Sequence, residues 1–136
     1  MPSCIFCDII SEKRSCHEIY HDSNIMAILD KYPIDKGHSL VITKKPYEKL
    51  TDMSSQEVAE LFSKIPKIAN AIIKATNADA FSIAQNNGKA AKQIIPHVHV
   101  HIIPRYSATG TLWLKRKILK DDELDELAQK IRNCIE

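Results

Sequence analysis

The sequence predicts an α+β fold, a five-stranded antiparallel sheet carrying one long helix and a C-terminal helix. Three observations predict it. Short β-branched and aliphatic runs at 19–21, 25–29 and 39–43 are separated by polar turns. Between 54 and 76 the apolar residues recur at helical rather than alternating spacing. A further β-branched run, 97–103, reads His-Val-His-Val-His-Ile-Ile, so apolar and polar side chains alternate with the period of a half-buried strand.

In chain order, residues 4–10 are expected to make a short helical turn, followed by the three strands just named. The loop 32–37, Tyr-Pro-Ile-Asp-Lys-Gly, separates the second strand from the third. The long helix has Val58, Leu61, Phe62, Ile65, Ile68, Ala69, Ile72 and Ile73 on its apolar face, and Ser54 with Glu57 forms a capping box at its start. Pro66 should kink it, because proline removes one donor and crowds the preceding turn. Strands near 81–85 and 96–103 complete the sheet. Residues 121–135 read as a closing helix with acidic residues in its first turn.

A chain of 136 residues with 44% hydrophobic content is expected to form one compact domain, 1–136. Its net charge of +2 gives mild attraction for phosphates, and without a basic stripe interleaved with aromatics it argues against a nucleic-acid partner. No apolar run reaches membrane-spanning length, and Asp8 interrupts a first ten residues that have no basic lead, so no membrane association and a cytoplasmic location are expected.

The chemistry concentrates at 97–101, which holds His97, His99 and His101, three of the six histidines. A lone histidine on a strand is usually structural, but three in register with alternate valines form a row of groups that donate, accept or attack near neutral pH. A metal site is the rival reading, since alternate histidines can bind zinc or copper. The loop before the run, 86–93, weighs against a hydrolytic zinc centre: Asn86, Gly88, Lys89, Lys92 and Gln93 supply amides, cations and backbone N–H groups but no carboxylate, a set suited to an anion.

The run His97-Val98-His99-Val100-His101-Ile102-Ile103 resembles the motif of the histidine triad (HIT) superfamily, His-φ-His-φ-His-φ-φ with φ apolar. The resemblance extends through Cys4-Ile5-Phe6-Cys7, Asp30, Gly37-His38-Ser39-Leu40-Val41-Ile42, and Asn86-Asn87-Gly88 with Gln93, so that residues 4–105 follow the branch of purine-nucleoside phosphoramidases and related small hydrolases. It implies a HIT-like fold and a nucleotidyl hydrolase acting at the α-phosphate of purine nucleotide derivatives such as adenosine phosphoramidates. His99 would be the nucleophile, forming a covalent nucleotidyl-histidine that water then hydrolyses. His101 and Gln93 would stabilise the growing charge, and the backbone carbonyl of His97 would orient His99. No cofactor is needed for that chemistry.

By the same resemblance Asp30 accepts from the ribose hydroxyls, Phe6, Ile9 and Leu29 surround the base, Asn86 lies near the ribose or phosphate, and the protein is a homodimer. Phe6, Ile9 and Leu29 read equally as ordinary core from the residues alone. His38 is either a support behind the site or an exposed histidine at a turn. Two positions depart from the pattern. Relatives with the Cys-x-x-Cys start bind structural zinc through both cysteines, the first triad histidine and a histidine after the third strand, where this chain has Pro46. Cys4, Cys7 and His97 then make three donors where a closed site uses four. The residue after Gln93 is polar in phosphoramidases and assists the leaving group, whereas here it is Ile94. Cys16 and Cys134 read as incidental thiols in a reducing compartment. Trp113, beside the basic run Lys115-Arg116-Lys117, is either a cover over the site or an anchor for the last helix. A dinucleoside polyphosphate hydrolase or phosphorylase and a low-turnover nucleotide-binding regulator are the alternative functions.

Overall fold

The alternation of the short runs is realised as one antiparallel sheet. In a computed structural model, which describes residues 4–107 and 119–136, the strands are β1 (Glu18–His21), β2 (Ile25–Leu29), β3 (Ser39–Thr43), β4 (Ala80–Ala84) and β5 (His99–Arg105), in the spatial order β1-β2-β3-β5-β4. The helices are α1 (Ile5–Ile10), α2 (Ser55–Ser63), α3 (Ile65–Thr76) and α4 (Asp121–Cys134). Trp113 and the basic run beside it lie outside the described residues.

Register sorts the side chains into two layers. Ala27 pairs with Val41 and Val41 with Val100, so these residues share one face, which packs on Ile68, Ile72 and Ile131 of α3 and α4 in a single buried cluster. Truncating Ile72 there, fully buried, to alanine should cost about 2–5 kcal/mol. On the opposite face Ile28 pairs with Leu40, Leu40 with His101 and Ile42 with His99. Phe6 and Ile9 of α1 close over this face with Ile28, Leu40 and Ile42 in a second, smaller cluster. The catalytic-looking histidines therefore sit under α1, away from the main core.

Two expectations are corrected. The single kinked helix over 54–76 is two helices joined at Lys64. Pro66 has no N–H for the Phe62 carbonyl, and it stands in the first turn of α3, where a missing donor costs nothing. The Ser54–Glu57 capping box does start α2. The last strand begins at His99 rather than at 96: Val98 N–H donates to Tyr47 O at 2.8 Å and His97 N–H to Ile95 O at 2.8 Å, so His97 belongs to the bend before β5. At the other end the strand continues through Pro104, past Ile102, the last residue of β5 that pairs with β3. Gly37, with φ +92, brings the chain into β3 where a Cβ would lie 2.9 Å from Thr76 Cγ2, so only glycine fits the approach that delivers His38.

Candidate active site

His99 is set by its neighbour's backbone. Its Nδ1–H donates to His97 O at 2.7 Å, which leaves the lone pair on Nε2. Burial pushes its pKa below the ordinary imidazole value, so the neutral, nucleophilic ring is favoured. His97 is fully buried and also has a lowered pKa, chiefly from burial. Its Nε2–H donates to Thr43 O at 2.6 Å, which turns its Nδ1 lone pair toward Cys4 Sγ at 3.2 Å and Cys7 Sγ at 3.6 Å. Phe6 packs edge-on against both rings, with centroids 5.7 Å from His97 and 5.0 Å from His99.

His101 lies 5.1 Å, ring to ring, from His99, and its Nδ1 is 2.9 Å from Nε2 of His38. His38 is fully buried, so of the two sequence readings the exposed turn is excluded. Its Nδ1 accepts the Ile34 N–H at 3.0 Å, and its Nε2 is 3.6 Å from Asp30 Oδ2. The sequence held the signal for this contact: His38, Leu40 and Ile42 alternate on β3 and its approach, and β3 lies beside β5. Asp30 also supplies what the loop 86–93 lacked, a carboxylate beside the histidines. Asp30, His38 and His101 place one potential metal-ligating atom each within 4.8 Å of one another.

A cavity of about 690 Å³ is lined by Phe6, Ile9, Ile28, Leu29, Leu40 and Asp30, among others, and its wall residue Phe6 is the one packed against His99. The core and base-wall readings of Phe6, Ile9 and Leu29 are thus compatible, since each is buried and each lines the cavity. Asn86 and Gln93 do not line it. Gln93 is buried, accepts Gly88 N–H on Oε1 at 2.6 Å and donates from Nε2 to Glu48 O at 2.7 Å, so its amide braces the loop and keeps one N–H to offer. The carbonyl of Asn86 accepts from the Gln85 amide at 3.3 Å. Ile94 is 87% exposed.

The Cys4 and Cys7 thiols lie 2.8 Å apart, and Cys7 N–H donates to Cys4 Sγ at 3.1 Å. With the His97 Nδ1 lone pair they form a donor set chemically suited to zinc, and no fourth donor joins them among the described residues.

The HIT domain family matches residues 11–108 of the chain. The chain belongs to the HIT family. It is 41% identical over 133 residues to an Arabidopsis thaliana protein, adenylylsulfatase HINT3, covering 97% of this chain and 67% of that one. It is 32% identical over 136 residues to adenosine 5'-monophosphoramidase hnt1 of Schizosaccharomyces pombe, covering 98% of each. A zinc-bound histidine triad family protein from Mycobacterium smegmatis superposes with a TM-score of 0.86 at 35% identity, over 98% of this chain and 93% of that one. The HIT chain is thereby placed among nucleotide hydrolase-like members of the family, with the α+β fold expected of them.

Proposed function

We propose that the protein hydrolyses purine nucleotide derivatives at the α-phosphate through a nucleotidyl-His99 intermediate. The observation that carries this reading is the 2.7 Å bond from His99 Nδ1 to His97 O, which commits the other ring nitrogen to attack. Nε2 forms a bond to the α-phosphorus as the bond to the leaving group breaks. Water then attacks the same phosphorus, releasing the nucleoside monophosphate and returning the electron pair to Nε2. His101 N–H and the remaining Gln93 N–H stabilise charge on the phosphoryl oxygens, and Asp30 accepts from the ribose.

The leaving group is an amine in the adenosine phosphoramidate reading. Ile94 favours a second class, groups that depart as stable anions such as a sulfate or a nucleotide phosphate, because an aliphatic side chain cannot hand over a proton. The Arabidopsis relative, named for adenylyl sulfate, and the fission-yeast relative, named for the phosphoramidate, support one class each. Homodimerisation is supported by β4, an edge strand whose Phe81 and Ile83 are exposed.

The test is replacement of His99 by alanine. Hydrolysis should be abolished while a purine monophosphate still binds, and the native protein quenched during turnover should carry an acid-labile nucleotidyl group on His99. Substantial turnover by the alanine variant would sink the mechanism.

If zinc is held by Cys4, Cys7 and His97, it supports α1 and the bend before β5 rather than the reaction. His97 would stay neutral and fixed through its ring, while its carbonyl continues to orient His99.

A further inference from the structure

We propose that Cys4 and Cys7 are a modification site, a dithiol that small hydroperoxides convert reversibly to a disulfide, and that this oxidation withdraws the sulfur donors the cluster would offer to zinc. The two residues stand at the N-cap and the third position of α1, with their sulfurs 2.8 Å apart. A disulfide needs about 2.05 Å between sulfurs, so closing the bond moves them by less than about 1 Å. Both residues are partly exposed, which admits a small oxidant. Cys16 and Cys134 are free as well, but among the described residues neither is in hydrogen-bonding contact with another thiol.

The surroundings order the chemistry. Cys7 N–H donates to Cys4 Sγ at 3.1 Å, and the Nδ1 lone pair of His97 lies 3.2 Å from Cys4 Sγ against 3.6 Å from Cys7 Sγ. An acceptor for its proton and an amide N–H for its sulfur make Cys4 the attacking residue. Its Sγ takes one peroxide oxygen as the O–O bond breaks, so Cys4 becomes a sulfenic acid and the hydroperoxide is reduced to an alcohol, or to water from hydrogen peroxide. Cys7 Sγ then attacks Cys4 Sγ and expels water. Both thiol protons leave in these products, and two electrons pass from the sulfurs to the peroxide. The oxidised pair has no thiolate to give a metal, which leaves His97 as the one strong donor of the cluster. Neither sulfur takes part in the bond from His97 Nε2 to Thr43 O or from His99 Nδ1 to His97 O. Oxidation thus acts on the cluster beneath α1 and is separable from turnover by His99.

The experiment treats the native protein, before and after loading with zinc chloride, with a small molar excess of hydrogen peroxide. Free thiols are counted, disulfides are mapped by peptide mass, and released zinc is read with a chromophoric chelator. The four free thiols should fall to two, with Cys4 linked to Cys7, and dithiothreitol should restore all four. Zinc bound by the reduced protein should be lost on oxidation. The Cys16→Ser/Cys134→Ser variant should behave as the native protein does. Cys7→Ser, its folding checked by its melting curve, should form no such bond and should leave on Cys4 a sulfenic acid that dimedone traps. Mapping of the native protein decides the matter even where that variant does not fold. Oxidation of Cys16 or Cys134 ahead of the pair, a product that dithiothreitol does not reverse, or zinc held no better by the reduced than by the oxidised protein overturns the proposal.

Discussion

Nε2 of His38 lies 2.9 Å from Nδ1 of His101, and the backbone decides which way that bond runs. Ile34 N–H donates to His38 Nδ1, so a neutral His38 carries its proton on Nε2 and donates it to His101. His101 must then carry its own proton on Nε2, the form that can donate to a phosphoryl oxygen. Loop 32–37 thus sets the tautomer of a triad residue through one buried histidine.

His38 should therefore act as a positioning residue. His38→Ala should lower kcat about tenfold to a hundredfold with little change in KM, since one donor to the transition state loses its orientation. His38→Gln, whose amide N–H can reach His101 in the same direction, should recover much of the loss. An alanine variant that melts normally and keeps full kcat would remove His38 from the mechanism.

The pH profile follows from His99. Burial lowers its pKa from the ordinary 6.5, and attack needs the neutral ring, so activity should persist through pH 6.5 and fall only below it. Stability should decline earlier on acidification. His97 and His99 both resist protonation in the folded state, so the unfolded chain binds more protons as the pH drops through 6.5, and stability declines from there until the folded rings also titrate. Paired kcat/KM and denaturant-midpoint measurements between pH 5 and 8 check both limbs; an acid limb of kcat/KM centred above 6.5 would contradict the neutral, buried nucleophile.

Chelation separates the two clusters of potential metal donors. Extensive treatment should leave hydrolysis essentially unchanged, whether or not it strips zinc from Cys4, Cys7 and His97, and any zinc removed should appear as a lower melting temperature. Activity that is lost with normal folding and restored by stoichiometric metal would point instead to a catalytic ion at Asp30, His38 and His101.

Ile94 is the place to test leaving-group preference. Ile94→Ser should raise kcat/KM for an adenosine phosphoramidate more than for a diadenosine polyphosphate, by about tenfold if one placed hydrogen bond contributes roughly 1.4 kcal/mol to the transition state. Because Ile94 is exposed, the change should leave stability nearly untouched. Equal effects on both substrates would show that this position does not govern departure.

The sequence by itself determined whatever has a short period or a local chemistry. The short β-branched runs marked the strands, alternation put Val98 and Val100 opposite the histidines, the Ser54–Glu57 pair marked the start of α2, and the triad spacing marked the family. Tertiary structure decided what depends on which distant segments meet. Pro66 read locally as a kink, whereas the chain is divided at Lys64 into two helices with Pro66 in the first turn of the second. The N–H groups of His97 and Val98, taken by Ile95 O and Tyr47 O, left His97 before β5, where its ring meets cysteines 90 and 93 positions away. The bond between His38 and His101 spans 63 residues, and the tie from His17 to Asp125 spans 108. No local pattern encodes such pairs, because they arise only when the hydrophobic faces of the sheet choose their partners.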